Sequence, residues 1–343
     1  MKALVLTEYN NLVYQDMPDP QFSGHEVLVE VKACGICGSD VHGMDGSTGR
    51  RIPPLIMGHE ASGVIVAAGS EVTGWQAGDR VTFDSTVFPL NDWFTLQGRY
   101  NLSDNREVLG VSPGTYRRHG AFAQYVAVPQ HILYRIPDAV SFEQAAMVEP
   151  VAVALHGLSL SGIKAGESCL VTGAGMIGLC LVQAAAGSGA IPLMVIDINR
   201  KKLELAGQLG AEILLEGGSP DSEKTVLDHT SGRGVDIAFD AVGISDTVNT
   251  SISLVRKGGR VVLVGNLAKK IDFPLQSVVT REITLLGSCA IRGEYEAALK
   301  LIACGKVRVD PLISAVAPLK EGASWFKRLH SGEPGLNKVI LVP

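Results

Sequence analysis

Residues 169–178 read CLVTGAGMIG, and this stretch decides the fold of the second half of the chain. An apolar run leads into glycines spaced G-x-G-x-x-G, and the Ala-rich segment Leu179–Ala186 follows. A strand, such a turn and a helix in succession indicate a dinucleotide site. The first glycine permits the tight turn, the second lets the backbone approach a pyrophosphate, and the third allows the helix to pack on the strand. The residues predicted to hold the dinucleotide here are Gly173, Gly175, Met176, Ile177 and Gly178.

The next apolar run, LMVID, ends in Asp197, 19 residues after Gly178. A carboxylate at this position can accept hydrogen bonds from ribose hydroxyl groups and would repel a 2′-phosphate, which favours NAD over NADP. Arg200 and Lys201 follow closely and could soften that preference, so Arg200 is included in the predicted cofactor site. The alternatives are a tight turn that binds nothing and an acidic residue that only caps the next helix.

The spacing of apolar segments differs between the two halves of the chain. Before about residue 150, short apolar runs are separated by Gly, Pro and Asp, which is typical of a β-rich domain. Examples of such runs are Val27–Val31, Gly63–Ala68 and Arg80–Phe83. From Glu167 onward, strands alternate with helical segments, which predicts a parallel sheet wrapped by helices. The predicted strands are Ser168–Thr172, Leu193–Asp197, Ile213–Leu215, Val235–Ala241 and Arg260–Gly265, with a later helix near Tyr295–Ala303 and a last strand near Val339–Val342.

A helical segment is predicted between these two halves. Ser141 is a plausible N-cap, and Gln144 three residues later completes a capping box. Pro150 interrupts the segment, so we expect two helical pieces rather than one. Before it, the polar stretch between Asp84 and His119 is long for a loop, and long loops are usually functional.

Two short motifs in the first half carry metal-binding side chains. Residues 32–42 read KACGICGSDVH, and residues 57–63 read MGHEASG. Cysteine thiolate and histidine imidazole suit Zn²⁺, and a catalytic zinc needs about three protein ligands and one open position. The pattern C-G-I-C-G-S-D-x-H followed by G-H-E resembles the zinc-dependent alcohol dehydrogenases of the medium-chain dehydrogenase/reductase superfamily. The resemblance runs along the whole chain and is greater to the sorbitol and threonine dehydrogenase branch than to the ethanol dehydrogenases.

The resemblance implies a set of metal ligands. Cys37 and His59 would bind zinc, Glu149 would be the third protein group, and Glu60 would be a ligand or a carboxylate beside the metal. Cys34 would not be a ligand. The alternatives for C-x-x-C are a redox pair and half of a structural zinc site, but no second C-x-x-C completes such a site.

The resemblance also implies a proton relay. Ser39 would accept a proton from the substrate's hydroxyl group, and His42 would release it to solvent, often by way of the cofactor ribose. An imidazole titrates near neutral pH, which suits this role. Ser39, His42 and Glu60 are therefore the predicted catalytic residues. The alternatives are a hydroxyl that only stabilises the turn and a histidine that is merely exposed.

Many members of this family carry a second zinc in a lobe with four cysteines. Residues 89–103 of this chain keep the surrounding sequence of that lobe but none of its thiols. We therefore expect one catalytic zinc per chain and no structural zinc. The aromatic residues Trp93 and Phe94 would pack the lobe or cover a subunit contact. The four cysteine positions are occupied by Pro89, Asp92, Thr95 and Ser103.

By resemblance, the chain is an α/β protein with two domains. A GroES-like, β-rich catalytic domain would take residues 1–153, completed by 289–343, and a Rossmann domain with a doubly wound parallel sheet would take residues 154–288. The implied activity is NAD-dependent oxidation of a secondary alcohol, above all a polyol, sugar alcohol or diol. The alternatives are a threonine-type amino-alcohol or aldose dehydrogenase, a metal-independent quinone or enoyl reductase, and a non-catalytic nucleotide-binding protein. The metal and relay residues disfavour the last two.

The composition excludes several other classes. The chain has 30 basic and 35 acidic residues, a net charge of −5 and no basic cluster, so neither a nucleic-acid nor a membrane partner is expected. The N-terminal MKALVLTEYN lacks the apolar stretch of a signal peptide. Six cysteines are too few for a disulfide scaffold in 343 residues, which predicts a cytoplasmic protein with reduced thiols. Dimers or tetramers are usual in such families, so we expect a homo-oligomer.

Overall fold

The computed structural model describes all residues, 1–343, and contains 18 strands and 11 α-helices. None of the helices is long and apolar enough to cross a membrane. The strands are β1 (Lys2–Glu8), β2 (Asn11–Asp16), β3 (Glu26–Gly35), β4 (Leu55–Ile56), β5 (Glu60–Ala68), β6 (Arg80–Phe83), β7 (Thr86–Val87), β8 (Glu107–Val108), β9 (Tyr125–Pro129), β10 (Leu133–Arg135), β11 (Cys169–Thr172), β12 (Leu193–Asp197), β13 (Ile213–Glu216), β14 (Val235–Asp240), β15 (Val255–Leu263), β16 (Thr284–Gly287), β17 (Ile313–Pro318) and β18 (Lys338–Val342). The helices are α1 (Gly38–Met44), α2 (Trp93–Leu96), α3 (Phe142–Ala146), α4 (Val148–Ser161), α5 (Met176–Gly187), α6 (Arg200–Gln208), α7 (Pro220–His229), α8 (Ser245–Leu254), α9 (Leu275–Thr280), α10 (Tyr295–Ala303) and α11 (Gly322–His330).

The first compact unit contains residues 1–149, 291–303 and 309–343. Its main sheet has seven strands in the order β10-β6-β5-β3-β18-β17, with β9 also paired to β3. Val27, Val29 and Val31 of β3 are buried and alternate with less buried residues, as expected for a strand with one face on a core. The C-terminal strand β18 pairs antiparallel with the end of β3. The last residues of the chain therefore lie beside the Cys-rich turn that follows β3.

The second compact unit contains residues 150–290 and 304–308. Its six strands are all parallel and run in the order β13-β12-β11-β14-β15-β16. Numbered within the unit, this order is 3-2-1-4-5-6, and it reverses between β11 and β14. Ligands of such sheets bind outside the carboxyl ends of the strands at the point of reversal. The glycine-rich turn after β11 lies at that point.

Most predicted elements form with small shifts in their ends, although β15 begins five residues before the predicted Arg260. Strands β16 and β17 are among those not predicted, and β16 has only four residues, TLLG, which are half-buried or exposed and lack the apolar run of an inner strand. The helical segment forms two pieces, α3 and α4, as predicted, but Pro150 does not divide them. The break falls at Met147, and Pro150 lies in the first turn of α4. Backbone N–H groups in the first turn make no hydrogen bond within the helix, so a proline there breaks none.

Candidate metal and cofactor sites

Cys37 lies in the turn between β3 and α1, where it caps the helix. Its sulfur accepts the backbone N–H of Ser39 at 3.4 Å. In turn, the carboxylate of Asp40 accepts a hydrogen bond from the backbone N–H of Cys37 at 3.4 Å. This reciprocal capping fixes the direction of the thiol.

His59 and Glu60 come next to Cys37 because two strands pair. β5 begins at Glu60 and runs antiparallel to β3, with Glu60 opposite the residue that ends β3. Gly58 has a φ of +96°, and a Cβ there would stand 2.9 Å from the sulfur of Cys34. The glycine of G-H-E therefore lets the chain turn past Cys34 and bury both following side chains, which are 6% and 1% exposed.

The possible ligand atoms of Cys37, His59 and Glu60 all lie within 4.8 Å of one another. A thiolate, an imidazole and a carboxylate together suit zinc. Glu149, in the first turn of α4, is not in this closest group. Burial, followed by the negative charge of Glu60, raises its pKa. Because the neighbouring carboxylate of Glu60 opposes ionisation of Glu149, a bound cation would stabilise the two together, so Glu149 also fits a metal site.

Lys338, the first residue of β18, holds Glu60. Its Nζ lies 2.5 Å from Glu60 Oε2 and donates to the carbonyl oxygen of Ile36 at 3.1 Å. Burial by itself would lower the pKa of Lys338, but the carboxylate of Glu60 raises it, so the ammonium group stays charged. No motif in the sequence pointed to Lys338.

Asp40 lies between His59 and Arg51, and all three are buried. Its Oδ1 lies 3.3 Å from His59 Nδ1, an ion-pair distance without hydrogen-bond alignment, and 2.9 Å from Arg51 Nη2. Burial would raise the pKa of Asp40, but His59 and Arg51 lower it to about 2. Burial would likewise lower the pKa of His59, while Asp40 and Cys37 raise it. With Asp40 on the Nδ1 side, Nε2 of His59 faces Ser39 and is available to a metal.

The structure brings Ser39 to this group but not His42. Ser39 Oγ lies 3.3 Å from Cys37 Sγ and 3.4 Å from His59 Nε2. His42 is exposed near the end of α1, and its imidazole makes no hydrogen bond with Ser39. Its backbone carbonyl accepts a hydrogen bond from Ser47 Oγ at 2.6 Å. A direct proton transfer from Ser39 to His42 would therefore need a bridging group.

The glycine-rich turn of the second unit has the geometry of a phosphate-binding loop. Gly173 has a φ of +96°, and a Cβ on Gly178 would stand 1.8 Å from the carbonyl oxygen of Gly173. Gly175 is the N-cap of α5, and the space where its Cβ would project is open. The turn thus combines a close helix–strand contact with room for a ligand at the helix N-terminus.

Asp197 ends β12 and supports the glycine-rich turn from one side. Its Oδ2 accepts the N–H of Ala174 at 2.6 Å, and its Oδ1 accepts the N–H of Asn199 at 2.7 Å. Asn199, not Asp197, caps α6. Arg200 projects into solvent with its side chain 91% exposed and pairs with Glu204 at 3.4 Å.

The lobe of residues 89–103 is held by hydrogen bonds around one carboxylate. Asp92 caps the short helix α2 by accepting the N–H of Thr95 at 2.8 Å, and it also accepts a short hydrogen bond from Ser103 Oγ. Asp92 thus joins Thr95 and Ser103 through hydrogen bonds to oxygen and nitrogen. Trp93 remains 66% exposed and stacks edge-on against Phe94.

Comparisons with known proteins agree with this arrangement. The alcohol dehydrogenase GroES-like domain family matches residues 23–138, and the zinc-binding dehydrogenase family matches residues 177–304. D-xylulose reductase A of Aspergillus oryzae is 33% identical over 347 residues, which cover 98% of this chain and 96% of that protein.

Two solved structures have the same fold over the whole chain. One is described as a zinc-binding dehydrogenase of Sinorhizobium meliloti 1021 bound to NADP, with 32% identity, a TM-score of 0.91, and coverage of 100% of this chain and 99% of that one. The other is 2R,3R-butanediol dehydrogenase of Bacillus subtilis, with 29% identity, a TM-score of 0.89 and the same coverage.

Proposed function

The chain belongs to the zinc-binding alcohol dehydrogenase family, and from this premise we propose that it oxidises a secondary hydroxyl group of a polyol, sugar alcohol or vicinal diol with NAD⁺. Membership of the family carries with it an oxidoreductase activity on CH–OH groups, zinc and a nicotinamide cofactor. The substrate class is supported by two relatives, one named for reducing D-xylulose and the other for a butanediol. We also propose a catalytic domain of residues 1–153 and 289–343 and a cofactor domain of residues 154–288.

The observation that carries the proposal is the buried group of Cys37, His59 and Glu60, with the hydroxyl of Ser39 against it. We assign these three side chains as zinc ligands. Oε2 of Glu60 is engaged by Lys338, so its other oxygen is the one available to the metal. Glu149 supplies the remaining carboxylate of the site.

The reaction divides between the bound groups and this chain's own residues. Zinc, when bound, supplies a Lewis acid that polarises the substrate's hydroxyl group, and the nicotinamide accepts a hydride from the adjacent carbon. The hydroxyl oxygen of Ser39 accepts the substrate's proton, and His42 releases a proton to solvent from its exposed position. Since no hydrogen bond joins the two side chains, a hydroxyl group of the cofactor ribose would bridge them.

NAD is the proposed cofactor because of Asp197. Each of its carboxylate oxygens accepts one backbone N–H and keeps a lone pair for a ribose hydroxyl group. Its negative charge disfavours a 2′-phosphate. The relative from S. meliloti was solved with NADP, so the two cofactors must be compared directly. We expect a kcat/KM for NAD⁺ at least about tenfold above that for NADP⁺.

One zinc per chain is proposed, because the lobe of residues 89–103 offers no thiolate and Asp92 already holds it together.

A homo-oligomer, dimeric or tetrameric, and a cytoplasmic location are further parts of the proposal. The exposed apolar side chains Leu275 and Val279, on a helix close in sequence to the edge strand β16, support association of subunits. Light scattering on the purified protein would measure the subunit number.

The experiment that tests the proposal is metal analysis paired with NAD⁺ reduction by a panel of polyols, diols and threonine. We expect one zinc per chain and turnover of a polyol or diol that is lost on chelation and in Cys37→Ser. Two zincs per chain would contradict the assignment of the lobe. Turnover without metal would contradict the assignment of Cys37, His59 and Glu60.

A further inference from the structure

Arg51 lies in the interior of the first unit, although no motif pointed to it. Its side chain is only 4% exposed and lies across α1 at Gly43. A Cβ on Gly43 would stand 2.5 Å from Cγ of Arg51, so the glycine leaves the room that the arginine fills. A buried guanidinium is costly unless it is paired and hydrogen-bonded, and the contacts of Arg51 therefore explain its position.

The guanidinium of Arg51 joins two neighbouring side chains of α1. Nη2 donates to Asp40 Oδ1 at 2.9 Å and to Ser39 Oγ at 3.0 Å, and Nε donates to Asp40 Oδ1 at 3.3 Å. The group is planar and rigid, so the paired contact with Asp40 fixes the direction of the N–H that reaches Ser39. A lysine ammonium at this position would have no such fork.

Ser39 needs this support because its hydroxyl is otherwise held only by the longer contacts with Cys37 Sγ and His59 Nε2, at 3.3 and 3.4 Å. The residue is exposed, and a serine side chain that is not packed can rotate among three staggered positions. Its hydroxyl has one hydrogen and two lone pairs. Arg51 occupies one lone pair and the hydrogen is donated to Cys37 Sγ, which leaves the other lone pair free.

We propose that Arg51 is a positioning residue of the proton relay, which holds Ser39 Oγ with a free lone pair directed to the substrate's hydroxyl group. The inference rests on the proposed function, in which Ser39 accepts that proton. As the substrate O–H bond breaks, a new O–H bond forms at Ser39 Oγ, whose own proton passes on toward solvent. The two electrons of the substrate C–H bond leave as hydride to NAD⁺. Arg51 itself gives up no proton, since its guanidinium stays charged.

A double-mutant cycle tests whether Arg51 acts through Ser39. We would measure kcat of zinc-loaded wild type, Arg51→Met, Ser39→Ala and the double variant, with whichever of sorbitol and 2,3-butanediol the wild type oxidises faster. Arg51→Met should lower kcat about 10- to 100-fold with a KM within about threefold, since small misplacements have effects of this size. In the Ser39→Ala background it should change kcat by less than about twofold, because residues that act as a unit are not additive. Multiplicative losses would overturn the inference.

The contact itself is tested without turnover, by urea unfolding of the same four proteins stripped of metal. Ser39→Ala should lower the urea midpoint when Arg51 is present and leave it unchanged when Arg51 is replaced. Equal shifts in both backgrounds would mean that the two side chains do not interact and would overturn the inference.

Three further variants separate positioning from general damage. Arg50→Met removes an exposed guanidinium next in sequence and should leave kcat unchanged. Gly43→Ala displaces the arginine without removing its charge and should lower kcat in the same direction as Arg51→Met. Arg51→Lys should lower kcat as well, but by less than Arg51→Met. If wild type binds no zinc or oxidises no alcohol, the proposed function fails and the inference with it. If wild type is an active zinc enzyme and the cycle is multiplicative, only the role of Arg51 fails.

Discussion

Replacing Lys338 with methionine should destabilise the metal-free protein by about 3–5 kcal/mol, because it leaves the carboxylate of Glu60 buried without its partner. The two side chains are 3% and 1% exposed, and Nζ lies 2.5 Å from Oε2. The variant also loses the donor to the carbonyl oxygen of Ile36, at 3.1 Å. Methionine has a similar volume, so a cavity adds little to this loss.

Thermal unfolding of the metal-free proteins would measure the effect. At 2–4 °C per kcal/mol for a unit of this size, the expected loss lowers Tm by roughly 10 °C. The matched control is Lys300→Met, which breaks the exposed pair with Glu296 at 2.7 Å, where both side chains are more than two-thirds exposed. Solvent already screens that pair, so the control should move Tm little.

Zinc should restore more stability to Lys338→Met than to the wild type, because the metal supplies a cation beside Glu60 in place of the lost ammonium. The comparison is the rise in Tm on adding zinc to each metal-free protein. Equal, small shifts in Lys338→Met and Lys300→Met would refute the reasoning, since the buried pair would then contribute no more than an exposed one.

Three further predictions concern the turn, the lobe and pH. Gly178→Ala places a Cβ 1.8 Å from a backbone oxygen and should weaken NAD binding about tenfold or more in a fluorescence titration, whereas Gly187→Ala, on the open side of the same helix, should not. Asp92→Ala removes the carboxylate that joins the lobe and should make residues 89–103 several-fold more sensitive to protease, with Asp104→Ala as the control. Burial raises the pKa of Asp84 from 3.8 to about 6. The contribution of this group to the free energy of unfolding is therefore most favourable below about pH 4, where the carboxyl is neutral, and it is lost as the pH rises through 6. The free energy of unfolding of Asp84→Asn, relative to the wild type, should therefore increase between pH 4 and 7 by up to about 3 kcal/mol. Unfolding measured at a series of pH values would test this.

The family, the α/β fold class and the type of enzyme predicted from the sequence are confirmed. They were accessible because their signals are local. Strand β12 was predicted residue for residue, since an inner parallel strand is a continuous apolar run. The turn around Gly173 carries its conformation in its own glycines. The motifs around Cys37 and His59 are likewise short, and they identified the side chains that the structure groups together.

The side chains that support the site were not predictable, because they come from distant parts of the sequence. Lys338 and Glu60 are 278 residues apart and meet only because β18 pairs with β3 beside the start of β5. Arg51 precedes His59 without any recognisable spacing, and its burial depends on the missing side chain of Gly43. A single sequence records neither contact, since each is made by tertiary packing.

These distant residues decide what the site can bind. Four groups in and around the site carry a negative charge when ionised, namely Cys37, Asp40, Glu60 and Glu149. Two permanently charged cations, Arg51 and Lys338, form ion pairs with Asp40 and Glu60. With the histidine neutral, as a metal ligand must be, the ionised groups leave two negative charges without a partner. A divalent cation neutralises them. The ion pairs with Arg51 and Lys338 offset two of the four negative charges, so a surplus of two is what a divalent ion would neutralise. The fixed cations thus set the charge that the site demands, and removing either one should make a divalent ion more necessary to the folded protein.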